Sequence, residues 1–381
     1  MADPPSGLSR ERIPSVIKYI GSKRVLLPAI LDAVARCSGR AGGVRTVLDL
    51  FSGTSRVGHA LKSHGYRVLA NDHNAYACTL AACYVRADAA DVLPAAARLV
   101  AEFNALPGSP GYLTETFALR ARYFHPRNAE RIDAIREAIA CKALPPDLEA
   151  VMLTSLMEAA DRVDSTTGVQ MAYLKSWAPR AHQLLELRLP VVLPRAKWGR
   201  GEAHALDALD AVERLEADLA YLDPPYNQHS YLGNYHVWES LVRWDKPAYY
   251  GVACKRADTR DRRSVFNSRP AFPEAMRRVL SGVRAPFLIV SCSNEGYMPG
   301  PQMEALLGEI VGAGRPGGGR VVSMEYDFRR YIGARIGIHN PKGVRVGTVS
   351  HLTNKEYLLL AARPGHAERL EGVEPFERVV A

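Results

Sequence analysis

The 381-residue chain lacks the features that would place it in a membrane or outside the cell. No uninterrupted apolar run approaches the ~20 residues that span a bilayer, and the N-terminal stretch "MADPPSGLSRER" has no apolar segment typical of a secretory signal. The six cysteines are scattered, with no CxxC pair and no Cys/His cluster. We therefore expect reduced thiols, no metal site and a cytoplasmic protein without membrane contact.

Acidic residues are outnumbered by basic ones, 40 against 49, which gives a formal net charge of +9. A basic balance favours a polyanionic partner, because Lys and Arg displace counterions from phosphates. Much of the charge lies in "CKRADTRDRRSVFNSR", residues 254–269, which is either a solvated surface loop or a phosphate-contacting segment. The basic residues of interest there are Lys255, Arg256, Arg260, Arg262 and Arg263.

The hydrophobic pattern predicts an α/β core interrupted by a helical segment. Residues 45–72 read as strand, turn, helix and strand, the start of a parallel sheet. Helical patterns dominate from 74 to about 195, and strand patterns resume at 218–222. We expect a discontinuous catalytic core, 1–73 and 196–365, a helical domain, 74–195, and a terminal tail, 366–381.

The segment "DLFSGTSRVG" begins with Asp49 at the end of a predicted strand and leads into a predicted helix. Small residues at such a turn let a ligand approach backbone N–H groups. The next predicted strand ends in Asp72, and a carboxylate there is typical of sites that bind the ribose of a nucleoside cofactor. A tight turn with an acidic cap is the alternative on these features alone.

A second motif, "DPPY" at 223–226, follows the buried-strand pattern "DLAYL". Pro224 and Pro225 have fixed φ angles and no N–H donors, so Asp223 is placed rigidly at the carboxyl end of a strand. The proline carbonyls are acceptors, and Tyr226 offers an aromatic face. This set suits a planar base with an amino group, although a proline-rich loop with a capping aspartate is equally compatible with the motif alone.

Together the motifs resemble the Dam-like, alpha-class DNA methyltransferases that methylate the amino nitrogen of adenine. "IKYIGSKRVLLPAI" (17–30), "DLFSGTSRVG" (49–58), "ND" (71–72) and "DPPY" appear in that family's order. "YNQHSYLGNYHVWESL" (226–241), "FLIVSCSNEGY" (287–297) and "TNKEYLLL" (353–360) are also typical of it. The resemblance covers residues from about 16 to 362. It implies a Rossmann-like methyltransferase sheet, mostly parallel with an antiparallel C-terminal hairpin, plus a helical insertion domain.

The resemblance also implies roles for individual residues. Asp223, Pro224 and Tyr226 would hold the target adenine, flipped out of the duplex, and Lys175 in the helical insertion would contact DNA. Ser55 departs from the family, which usually has glycine there, but serine is small and can cap the following helix. The residues implied to bind the cofactor, S-adenosylmethionine, are Tyr19, Lys23, Asp49, Phe51, Gly53, Asp72, Glu202 and Asp223.

The implied partners are double-stranded DNA and a cognate restriction endonuclease, for a monomer or weak dimer at the bacterial nucleoid. Three alternatives stay open from the sequence. Methyltransferases of protein glutamine or of the cytosine amino group share a PP[YFW] motif, but typically with Asn or Ser where this chain has Asp223. RNA could replace DNA as substrate. The chain could also be a catalytically silent DNA-binding module.

Overall fold

A computed structural model describes residues 17–39, 43–329, 338–339, 345–347, 353–373 and 376–379. The α-helices are α1 (Leu27–Ser38), α2 (Arg56–Ser63), α3 (Ala75–Ala81), α4 (Ala89–Asn104), α5 (Tyr112–Thr114), α6 (Pro126–Cys141), α7 (Pro146–Arg162), α8 (Ala208–Arg214), α9 (Tyr231–Asn234), α10 (His236–Arg243), α11 (Phe272–Gly282) and α12 (Gly300–Val311). The strands are β1 (Thr46–Asp49), β2 (Arg67–Asn71), β3 (Glu202–His204), β4 (Leu219–Leu222), β5 (Tyr249–Tyr250), β6 (Lys255–Arg256), β7 (Phe287–Ser293), β8 (Arg320–Arg329), β9 (Ile338–His339), β10 (Arg345–Gly347), β11 (Thr353–Ala362) and β12 (Phe376–Val379).

The chain divides into two compact units, each assembled from separated segments. The first comprises Met1–Leu27, Asp49–Ala208 and His229–Arg263. The second comprises Pro28–Leu48, Leu209–Gln228 and Ser264–Ala381. These boundaries differ from the domain limits expected from the sequence, because segments on both sides of the helical stretch contribute to each unit.

The first unit is mainly helical, with β2 and β3 paired in parallel. Helices α3 to α7 occupy 75–162, where the sequence predicts helices. Helix α7 is buried without interruption from Ala150 to Asp161, as expected for a helix at the centre of a bundle. Trp238, which its helical neighbours predict to be a core residue, is 1% exposed.

The second unit contains most of the sheet, with strands in the order β12-β8-β11-β7-β4-β1. Strands β4 and β7 pair in parallel and are buried along their whole length, as expected when helices cover both faces. Strand β11 is antiparallel to both β7 and β8, which confirms the predicted C-terminal hairpin. The structure thus confirms the predicted α/β class.

The predicted terminal tail contains regular structure that the sequence analysis did not anticipate. Strand β12 pairs in parallel with β8, with Phe376 opposite Met324, and a 3₁₀ turn occupies Ala367–Leu370. Leu370 is fully buried. Among the described residues, no helix is long and apolar enough to cross a membrane.

Candidate active site

The loop after β1 is held by the acidic residue after β2. Asp72 accepts hydrogen bonds through Oδ2 from the Gly53 amide (3.1 Å) and through Oδ1 from the Asn74 amide (2.9 Å). Gly53 has φ +50°, a left-handed conformation that glycine adopts without strain. Asp49 is 1% exposed at the end of β1. The structure therefore brings together Asp49, Gly53 and Asp72, as their places at neighbouring strand ends predict.

Tyr19 covers this loop and is itself held in an aromatic stack. Its ring lies nearly parallel to those of Tyr231 and Tyr235, with centroids 5.1 and 4.7 Å away. A Cβ on Gly53 would lie 3.2 Å from the Tyr19 hydroxyl, so a side chain there would crowd the ring. Burial raises the pKa of Tyr19 well above its usual value, which keeps the phenol neutral. Sequence reasoning missed Tyr231 and Tyr235 as supports of Tyr19.

Three other predicted cofactor residues lie in the same unit. Lys23 is buried (8% exposed) in the 3₁₀ turn Lys23–Val25, and Phe51 is half-buried in the loop. Glu202, on β3, pairs with Arg67 and lies 3.0 Å from His204 Nε2. Since this carboxylate already has two partners, its contact with the cofactor stays a prediction.

Ser55 occupies the N-cap position of α2, but its side chain makes no capping hydrogen bond. Its φ is +56°, and the residue is fully buried with no hydrogen-bond partner for Oγ. The expectation that this serine caps the helix is therefore wrong. The backbone geometry is the one for which a glycine is suited.

The "DPPY" segment lies in the second unit, directly after β4. Asp223 is half-buried and Pro224 is buried. The Tyr226 carbonyl accepts a hydrogen bond from the Tyr297 amide (2.9 Å), and Asn267 Nδ2 donates to the Asn227 carbonyl (2.9 Å). These bonds fix the backbone on the far side of the two prolines, so both ends of the motif are anchored.

Tyr297 and Asn267 are also joined to each other, because the Tyr297 hydroxyl donates to the Asn267 carbonyl (3.2 Å). Sequence reasoning gave neither residue a role in supporting the motif. A signal existed for Tyr297, since it follows β7 closely and β7 pairs in parallel with β4. The carboxyl ends of neighbouring parallel strands meet at one edge of a sheet.

The predicted DNA-contacting cations fall into two groups, those that reach solvent and those that are buried and paired with carboxylates. Lys255 is half-buried, whereas Arg260, Arg263 and Lys175 are exposed. Arg256 is 1% exposed and donates to both carboxylate oxygens of Asp245 (2.8 and 2.7 Å) and to Asp258 (3.0 Å). This arrangement argues against a phosphate contact for Arg256, since its guanidinium is saturated inside the protein.

Arg262 is intermediate between these groups. Its Nη1 donates to the fully buried Glu239 (2.9 Å) and lies 3.4 Å from Asp258. Glu239 also accepts from the Tyr76 amide (3.1 Å) through its other oxygen. Arg262 therefore neutralises a buried carboxylate, and a phosphate contact would compete with that pairing.

The chain is similar in sequence to several modification methylases and type II methyltransferases. It is similar to the modification methylase StsI of Streptococcus sanguinis, with 29% identity over 314 residues, covering 77% of this chain and 46% of StsI. It is 25% identical to the type II methyltransferase M.NlaIII of Neisseria lactamica over 349 residues, covering 90% of this chain and all of that protein. It is 27% identical to the type II methyltransferase M.FokI of Planomicrobium okeanokoites over 331 residues, covering 83% of this chain and 50% of M.FokI.

The chain thus spans about half the length of StsI and M.FokI but the full length of M.NlaIII. A family profile described as D12 class N6 adenine-specific DNA methyltransferase matches residues 19–271. This range is well over half of the chain, and it includes Tyr19, the loop after β1, Asp72 and the "DPPY" motif. The chain therefore belongs to the D12 class of N6 adenine-specific DNA methyltransferases.

Proposed function

We propose that this protein transfers a methyl group from S-adenosylmethionine to the exocyclic amino group of adenine in double-stranded DNA. The observation that carries the proposal is the placement of Asp223. Its carboxylate follows a fully buried strand and precedes two prolines, and the backbone beyond them is anchored by Tyr297 and Asn267. Family membership and the names of the relatives, which are modification methylases, support the same reaction.

The residues of the first unit suit a nucleoside cofactor. Residues 49–55 are buried except for the half-buried Phe51, and the hydroxyls of Ser52 and Ser55 have no hydrogen-bond partner. We assign Tyr19, Lys23, Asp49, Phe51, Gly53, Asp72 and Glu202 to this pocket, with Lys23 facing the methionine carboxylate and Asp72 the ribose. S-adenosylmethionine, when bound, supplies an electrophilic methyl group on a positively charged sulfur.

The adenine amino group is a poor nucleophile, because its lone pair is delocalised into the ring. Asp223 and the Pro224 carbonyl accept hydrogen bonds from its two N–H bonds, which moves the nitrogen toward tetrahedral geometry. The Asp223 carboxylate also stabilises the positive charge that develops on the nitrogen. Alignment of the reacting groups and this electrostatic stabilisation lower the activation free energy of methyl transfer. Tyr226 stacks on the base, which offsets part of the few kcal/mol that base flipping costs.

The exposed cations Arg260 and Arg263, with the half-buried Lys255, form our proposed phosphate-contacting set, and we propose that the exposed Lys175 contacts base edges. The helices of 74–195 are the proposed target-recognition part. We propose a bacterial, cytoplasmic and nucleoid-associated enzyme, a monomer or weak dimer, that acts beside a cognate restriction endonuclease. The sequence also has a second basic segment at 329–345, in which Arg330, Arg335 and Lys342 lie outside the described residues.

The direct test uses purified protein, S-adenosylmethionine with a tritiated methyl group, and bacterial DNA without prior adenine methylation. We expect label in N6-methyladenine after digestion of the DNA. Asp223→Ala should abolish transfer while DNA binding changes little, because the carboxylate acts on the reacting nitrogen. Label in 4-methylcytosine, in RNA alone or in protein would support an alternative, and turnover by Asp223→Ala would contradict the role of Asp223.

A further inference from the structure

Residues 17–20 are fastened by hydrogen bonds to the C-terminal end of α7. The Lys18 amide donates to Asp161 Oδ2 (3.1 Å), and Lys18 Nζ donates to the Asp161 carbonyl and to Asp164 Oδ1 (2.9 Å). Asp161 is the penultimate residue of α7, and Asp164 follows the helix. Residues 17–20 form neither helix nor strand. Their backbone is therefore held at this point by side chains rather than by regular structure.

The two carboxylates that hold Lys18 are buried close together. Their side chains are 12% exposed at Asp161 and 4% at Asp164. Burial raises the pKa of Asp161 to about 6, Lys18 opposes this shift, and the charge of Asp164 adds to it. Asp164 also accepts a hydrogen bond from Arg180 Nε (2.8 Å). Because neighbouring buried carboxylates are unfavourable without paired cations, Lys18 and Arg180 are integral to this cluster.

The fastened stretch carries Tyr19, whose ring covers the loop after β1. The cluster holds the backbone on one side of this residue. On the other side, the Ile20 amide donates to the Tyr235 hydroxyl (2.7 Å), and the Tyr235 ring stacks on Tyr19. Since the backbone is bonded both before and after Tyr19, the ring has little freedom to move away from Gly53, its neighbour in the loop.

Resting on the cofactor pocket of the proposed function, we propose that Asp161 and Asp164 are positioning residues for S-adenosylmethionine. They hold Lys18, and through it they keep Tyr19 over the loop before the cofactor arrives. Without them, residues 17–20 must be ordered when the cofactor binds, and the entropy of that ordering opposes binding. A loss of this kind raises the KM for the cofactor more than it lowers kcat.

The test uses the full chain with three substitutions on α7. Asp161→Ala removes the carboxylate, whereas Asp161→Asn keeps an oxygen that can accept from the Lys18 amide. Asp147→Ala is the matched control, because Asp147 is also a partly buried α7 carboxylate (17% exposed) and pairs with Arg86 (2.7 Å). Calorimetric titration measures the Kd of S-adenosylmethionine. Methyl transfer to unmethylated bacterial DNA measures KM and kcat.

We expect Asp161→Ala to raise the Kd and KM for S-adenosylmethionine about tenfold, with kcat at saturating cofactor within about twofold of wild type. Asp161→Asn should recover affinity to within about threefold of wild type. Asp147→Ala should bind the cofactor as wild type does, even if its melting temperature falls. Unchanged affinity in Asp161→Ala, an equal loss in Asp147→Ala, or no recovery in Asp161→Asn would overturn the proposal.

Failure of the proposed function would give a different result. Wild-type protein that is folded but binds no S-adenosylmethionine contradicts the cofactor pocket itself. Amide hydrogen exchange then decides whether Asp161 fixes residues 17–20. Fixation predicts faster exchange at Lys18 and Ile20 in Asp161→Ala but not in Asp147→Ala, and equal exchange in both variants would overturn it.

Discussion

Arg256 offers a sharp test of the structure. Its place in a basic segment of the sequence suggests a phosphate contact, whereas its buried surroundings suggest a structural anchor. The side chain is 1% exposed and is bonded to Asp245, Asp258 and the Ser240 hydroxyl. Burial alone would raise the pKa of Asp245, but the hydrogen bonds and charge of Arg256 outweigh it and lower that pKa. Removing the guanidinium in Arg256→Ala therefore leaves carboxylates without their main partner.

Breaking a fully buried pair costs about 3–5 kcal/mol. The Asp245 and Asp258 side chains are 32% and 31% exposed, so water can solvate them, and Arg243 lies 3.2 Å from Asp245. We therefore expect Arg256→Ala to lower the free energy of unfolding by about 2–3 kcal/mol, at or below the low end of that range. Urea unfolding followed by circular dichroism measures this loss.

The matched control is Arg263→Ala, which changes an exposed arginine seven positions away in the same segment. Its stability should stay within about 0.5 kcal/mol of wild type, while the slope of log affinity for DNA against log salt should fall by about 0.9 for one lost phosphate contact. Arg256→Ala should leave that slope unchanged. Unaltered stability with a reduced slope for Arg256→Ala would refute the buried-anchor role.

Three further predictions concern Ser55, Glu158 and Asp72 of the first unit. Ser55→Gly should stabilise the protein by about 1 kcal/mol, since it relieves a positive φ and removes an unpaired hydroxyl; a lower melting temperature would contradict this. Burial raises the pKa of Glu158 from 4.5 to about 7, although the Tyr84 hydroxyl donates to it. The folded state therefore holds a proton that the unfolded state has lost between these pH values, and stability falls as pH rises through this window, by up to about 3 kcal/mol. Glu158→Gln should remove that fall, so a melting-temperature difference from wild type that stays constant between pH 5 and 8 would argue against it. Asp72→Ala should weaken S-adenosylmethionine binding at least about tenfold in calorimetric titration, because it removes the charged acceptor that orders Gly53; unchanged affinity would exclude this role.

The sequence predicts the parts of the fold that depend on local pattern. The run "LAYL" ends as a strand at Leu222, because the prolines of 224–225 cannot continue a ladder. The helices of 75–162 also follow from periodicity and composition, whereas the antiparallel pairing of β8 and β11 was implied by the family resemblance. The structure confirms the α/β class that the pattern of strands and helices predicts.

Other features depend on residues that meet only in the folded chain. Tyr231 and Tyr235 stack on Tyr19 from more than 200 positions away, and no local pattern announces this contact. The charges of the basic segment 254–269 suggest an exposed or phosphate-contacting loop. The burial of Arg256 depends instead on how Asp245 and Asp258 are placed around it. The strand β12 was missed because four residues next to a chain end carry little pattern.

The central claim, adenine methylation of DNA by way of Asp223, is tested most directly inside cells. Long-read sequencing would be applied to DNA from a methylation-free bacterial host that expresses either the wild-type chain or Asp223→Ala. The account predicts one short motif methylated on adenine throughout the genome with wild type, and no modified adenine with Asp223→Ala. An unmodified genome in cells whose wild-type protein is folded and binds S-adenosylmethionine would contradict it.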